Sequence, residues 1–107
     1  MRERRVGVRA ISFFRTDVRH KSKTYHGYIV NISSTGCAFA HENLTAVAEG
    51  DIVNVKFRVD EKSLNLQARV SWRDNTIMGL RYAGLTDSSK KVLKEYIKTV
   101  TLRQIPI

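Results

Sequence analysis

Two clusters in this chain carry side chains suited to chemistry at a surface. The first is the opening, "MRERRVGVR", which crowds Arg2, Arg4, Arg5 and Arg9 into nine positions. The second is "NISSTG", residues 31–36, lodged between the apolar runs "YIV" and "CAFA" where a two-residue turn would suffice. Residues 1–26 hold eight basic side chains against two acidic ones, so +6 of the net +9 lies in the first quarter. Such a block reads either as a solvated, self-repelling tail or as a site for a polyanion: nucleic acid, an anionic lipid surface or a phosphorylated small ligand. "NISSTG" also has two readings. As structure, it is an Asx-type turn with Gly36 at positive φ. As a site, Asn31 and Ser33 stand two apart on an extended segment and face one side of the sheet. Together they offer a carbonyl oxygen, an amide and a hydroxyl to one ligand edge, and Gly36 lets a ligand or another backbone come close.

Chemistry of other kinds finds little footing. The chain has no nucleophile elbow, no phosphate-binding glycine loop ahead of a helix and no zinc-protease helix, so a non-enzyme is expected. Cys37 and His41, with His20 or His26, could be read as a metal set. Structural zinc sites use four ligands at tighter paired spacings, so no metal is expected and Cys37 reads as a small buried hydrophobe. A single cysteine excludes an internal disulfide and fits a reducing, cytoplasmic setting. No apolar run is long enough to span a membrane, and the basic start lacks the apolar core of a secretory signal.

The elements that must position these residues follow from periodicity. At 107 residues, 42% of them hydrophobic, the chain can bury one core. "AISFFRTDV", "TYHGYIVNI" and "GCAFA" read as three strands, with "HENLTAVAEG" as a connection that has room for one helical turn and closes at Gly50. "IVNVKFRV" and "LNLQARVSW" alternate clearly, joined by the hairpin segment "DEKS". "RDNT" is a further turn, and "IMGLRYAG" a sixth strand with Met78, Leu80 and Tyr82 on one face. Gly79 inside it marks a bend or a close approach. Phe13, Phe14, Phe39 and Tyr82 read as core. From Thr86 the period changes, and Val92, Leu93, Tyr96, Ile97 and Val100 recur at helical spacing over three to four turns. Thr86 or Asp87 can cap this helix, and Lys94 and Lys98 sit near its negative end. Six short strands and a terminal helix that covers one end or face predict an antiparallel β-barrel. The domain plan is a flexible leader over 1–9, a barrel with helix over 10–101 and a tail over 102–107.

Two spacings resemble those of a known family. Arg5-Val-Gly-Val-Arg9 fits an arginine, three residues, arginine pattern. Asn31-Ile-Ser33-Ser-Thr-Gly36 fits Asp or Asn, any residue, Ser, two residues, Gly. In this order, about twenty residues apart and ahead of a β-rich chain ending in a helix, they resemble the PilZ domain. Trp72 in "RVSWRD" and "GLRYAGL" before the helix add to the likeness, which runs from Arg4 to about Ile97. The resemblance implies a six-stranded antiparallel barrel that binds the bacterial second messenger cyclic di-GMP. A guanidinium can pair in bidentate fashion with a phosphate or with guanine O6 and N7, and can stack on a purine. The implied ligand set is Arg4, Arg5, Arg9, Asn31, Ser33 and Gly36, with Arg4 placed to meet a second, stacked messenger molecule. Trp72 shares the alternation of Leu64, Leu66 and Val70, which puts it in the core or at the barrel rim. Its alternative role is stacking on guanine.

The resulting expectation is a cytoplasmic bacterial receptor that needs no cofactor, takes one or two cyclic di-GMP molecules and signals through an unidentified protein partner. Ligand capture would order the leader over the barrel. One rival is a basic barrel that binds single-stranded nucleic acid by stacking bases on Tyr25 and Tyr28. That reading gives "NISSTG" no task and is disfavoured. The other rival is a PilZ-like scaffold that binds protein only.

Overall fold

Strict alternation of apolar residues makes strands, and the strands close on themselves. The computed structural model describes residues 10–59 and 62–104, with side chains from 15 to 58 and from 63 to 98. Arg4, Arg5 and Arg9 therefore lie outside the described residues, as do the side chains of Phe13 and Phe14. Six strands, β1 (Ala10–His20), β2 (Lys23–Ile32), β3 (Gly36–Ala40), β4 (Ile52–Val59), β5 (Lys62–Arg73) and β6 (Ile77–Ala83), precede one helix, α1 (Asp87–Gln104). All pairings are antiparallel, and the closed order is β1-β2-β3-β6-β5-β4. The barrel with a C-terminal helix is as the sequence predicts.

The inward set fills the interior. Val18, Tyr25, Ile29, Phe39, Val53, Val55, Phe57, Ala68, Val70 and Met78 are all buried, as is Cys37. Tyr25 is 1% exposed, which removes it from the surface on which the nucleic-acid reading needed it. Its ring instead packs edge-on against His41 at 5.1 Å. The connection 41–51 makes turns, with Val47 N–H donating to the Leu44 carbonyl at 3.0 Å, and contains no helix. Leu44 and Val47 drop from it into the core. His20, itself buried, bonds the Asp51 carboxylate through Nε2 at 2.8 Å and so ties β1 to this connection.

The helix closes the other end. Leu93, Tyr96 and Ile97 join the core cluster, and the Tyr96 ring lies 5.2 Å from that of Phe57, which also meets Tyr82 edge-on at 6.3 Å. Val92 belonged to the expected apolar stripe but is half exposed. Thr86 is the cap: its Oγ1 accepts the Ser89 N–H at 3.1 Å, and its carbonyl accepts the first helical bond from Lys90. At 18 residues the helix runs about five turns rather than three to four, so Lys94 and Lys98 lie mid-helix. The apolar spacing that marks the helix in the sequence ends at Val100, whereas the helix itself continues to Gln104.

Cys37 sits in this interior beside Tyr82. Burial pushes its thiol up to about 12, and burial likewise raises the Tyr82 and Tyr96 hydroxyls. In the folded protein at pH 8, Cys37 should not react with an aromatic disulfide reagent over hours, and should react within minutes in denaturant. Fast labelling of native protein would contradict this placement.

Candidate functional site

Three register shifts interrupt the barrel; one lies in β1 between Ile11 and Phe14, and each of the other two turns one polar or aromatic residue outward. In β2, Ile29 pairs with Phe39 but Asn31 pairs with Ala38, so Val30 is an extra residue. Strict alternation from the buried Tyr25 and Ile29 would send Asn31 inward. The bulge sends it out and returns Ile32 to the core. In β5, Val70 pairs with Leu80 but Trp72 pairs with Gly79, leaving Ser71 as the extra residue. Leu66, Ala68 and Val70 point in, whereas Trp72 is turned out and left 46% exposed. Of the two placements expected for Trp72, core or barrel rim, the core one is overturned, because alternation does not survive the bulge.

The two turned-out residues fall on one lateral row. Asn31 pairs with Ala38, Ala38 with Gly79, and Gly79 with Trp72. Three strand spacings separate the ends of this row, at most about 15 Å. Between them stand an alanine and a glycine, so the row is a ledge with a floor of small residues. The indole lies directly over Gly79, where a Cβ would collide with Trp72 Nε1. The close approach expected at Gly79 is therefore that of the tryptophan ring.

At one end of the ledge is the β2–β3 turn. Ser33 N–H donates to the Gly36 carbonyl at 2.8 Å, and Ser33 Oγ accepts the Thr35 N–H and donates to the Gly36 carbonyl, each at 3.3 Å. The turn is organised by the serine and not by an Asx bond from Asn31. Gly36 is not at positive φ, contrary to the turn reading; only Gly50 and Gly84 are among the described glycines. Its missing Cβ is required by the β6 backbone, since a side chain would strike the Leu80 carbonyl oxygen. Tyr82 N–H donates to the Thr35 carbonyl at 3.0 Å, which fastens the turn to β6.

These residues enclose a groove of about 320 Å³, lined by Asn31, Ser33, Thr35 and Gly36 on the turn side and by Ser71, Trp72 and Arg81 opposite, over Ala38 and Gly79. Four of the predicted residues, Asn31, Ser33, Gly36 and Trp72, are brought together here. Arg81, Thr35 and Ser71 were missed. Alternation of Met78, Leu80 and Tyr82 already places Arg81 on the outer face of β6, but only its pairing with Gly36 brings it to the turn. Among the described residues, no cluster of histidine, cysteine and carboxylate groups could hold a metal ion. No described helix is long and apolar enough to cross a membrane.

The PilZ domain family model matches residues 2–99. No curated protein matches the chain in sequence. Among solved structures, the PilZ domain of CeSA from a cellulose-synthesizing bacterium superposes with a TM-score of 0.77 at 15% identity, covering 88% of this chain and 98% of that one. The inhibitor of motility MotI (DgrA) of Bacillus subtilis gives 0.74 at 18% identity, covering 97% of this chain and 54% of that one. MrkH of K. pneumonia, in its apo state, gives 0.72 at 18% identity, covering 96% and 53%. This chain thus spans about half the length of MotI and of MrkH. At these identities the likeness is one of fold.

Gly36→Ala is expected to destabilise the protein by about 1–3 kcal/mol in denaturant melts, because the clash is with backbone and cannot be relieved by a rotamer change. Gly79→Ala should displace the indole and shift the emission of Trp72, the chain's one tryptophan. Wild-type stability in the first variant, or unchanged emission in the second, would contradict the packing described.

Proposed function

Because the chain belongs to the PilZ domain family, whose members generally act as cyclic di-GMP receptors, we propose that it is a non-catalytic cytoplasmic receptor for that messenger, and that the groove between Asn31 and Trp72 is its site. The observation that carries this reading is a register. Ala10 pairs with Ile32, and Ile11 with Asn31. Arg9 directly precedes Ala10 in the sequence, so the arginine pattern leads into the end of β1 that pairs beside the turn bearing Ser33.

The parts suit the ligand. Cyclic di-GMP carries two phosphates and two guanines on a compact ring. Trp72 offers a half-exposed ring face at the groove wall, and stacking there needs no rearrangement of the core. Asn31 meets a guanine edge. The hydroxyl bonds of Ser33 within the turn are long, at 3.3 Å, and are readily exchanged for bonds to a ligand. Arg5 and Arg9 close over the other side, and Arg4 meets a second, stacked messenger molecule. Closure of the arginine segment then alters the surface offered to a protein partner.

Calorimetric titration with cyclic di-GMP tests this. Arg5→Ala, Arg9→Ala and Ser33→Ala should each weaken binding by about tenfold or more while melting temperature barely changes. Asn31→Asp should tighten it several-fold, since a carboxylate accepts from both guanine N1–H and N2–H. Normal binding by the arginine variants would remove the proposed site. A stoichiometry near one would remove the second ligand molecule.

A further inference from the structure

Arg69 and Arg81 stand directly opposite each other on the outer faces of β5 and β6. Like charges at facing positions of an antiparallel pair destabilise it, and neither guanidinium has a described carboxylate partner. The two differ in surroundings. Arg69 Nη1 donates to the Gly50 carbonyl at 3.3 Å, away from the groove. Arg81 lines the groove, paired directly with Gly36 of β3 and standing two residues from Gly79 on the same face of β6. Among the described residues it is the one cation of that lining.

We infer that Arg81 is a phosphate-binding residue of the groove, a fixed cation supplied by the barrel itself and independent of the N-terminal arginines. The inference rests on the reading of the groove as the messenger's site and adds to it a preformed anion contact. A strand holds the Arg81 backbone in place before the ligand arrives, so only the side chain has to be ordered in this contact. The planar fork of the guanidinium is suited to two phosphate oxygens at once. The unfavourable pairing with Arg69 is a cost to the empty barrel that a bound phosphate would offset.

The test uses the full chain, with cyclic di-GMP followed by quenching of Trp72 emission and by calorimetry, and with apo melting temperatures recorded beside them. Arg81→Gln should bind about tenfold or more weakly, with an apo melting temperature equal to or above that of the wild type. Arg81→Lys should recover part of the loss, and Arg69→Gln should stay within about twofold of wild type. Wild-type affinity shallowly reduced by salt, and still less reduced in Arg81→Gln, also supports the contact. If the wild type binds and Arg81→Gln binds within twofold, the inference falls while the site stands. It falls equally if Arg81→Gln melts lower, which marks a structural role, or if lysine restores nothing. If the wild type does not bind, the reading of the groove itself has failed.

Discussion

Two extra residues, Val30 in β2 and Ser71 in β5, decide what the outer face of this barrel can do. A strand has a period of two, so one inserted residue reverses the direction of everything after it. Without the first bulge Asn31 would be buried among Ile29 and Phe39. Without the second, Trp72 would follow Val70 into a core that is already full. With both, an amide and an indole face solvent on one row, separated by Ala38 and Gly79. The barrel keeps its apolar filling and gains a polar and aromatic ledge outside it.

That arrangement follows from size. Six strands close around too little space for anything but side chains, and the interior here is occupied from Val47 and Leu44 at one end to Phe57, Tyr82 and Tyr96 at the other. A ligand must therefore bind outside, where relief comes only from omitting side chains and from turns. Gly36 and Gly79 supply the first kind: each lies where a Cβ would meet a neighbour, the Leu80 backbone in one case and the Trp72 ring in the other. The Ser33–Gly36 turn supplies the second, held to β6 by the Tyr82 N–H. No described side chain of helix α1 lines the groove; its Leu93, Tyr96 and Ile97 seal the end of the barrel from which β2 and β6 emerge.

Much of this was legible in the letters. All six strands and the helix follow from period and turn residues, and the polar set at 31–36 follows from its departure from what a short turn needs. Which of the two placements of Trp72 holds, core or rim, was not legible, because a bulge leaves no mark on the pattern "LNLQARVSW" and is visible only once β6 is laid beside it. Arg81 escaped for a related reason: β6 fixes its face, but its neighbours Gly36 and Arg69 are far away in sequence. Leu44 and Val47 were hidden in a segment that reads as polar connection, since two isolated apolar residues have no period. The helix was read short because no apolar periodicity continues past Val100, and the cap was narrowed to Thr86 or Asp87 because its signal lies in adjacent residues.

The account's central claim is that one outward row, with the turn at its end, forms the messenger's half-site on the barrel. Backbone and indole N–H chemical shifts, recorded as cyclic di-GMP is added, address it residue by residue. The largest changes are expected at Asn31, Ser33, Thr35, Gly79 and the Trp72 indole, with Arg9 among them and with Lys56 and Arg58 on the far strand β4 unmoved. Changes centred on β4, or none at all at saturating messenger, would contradict it.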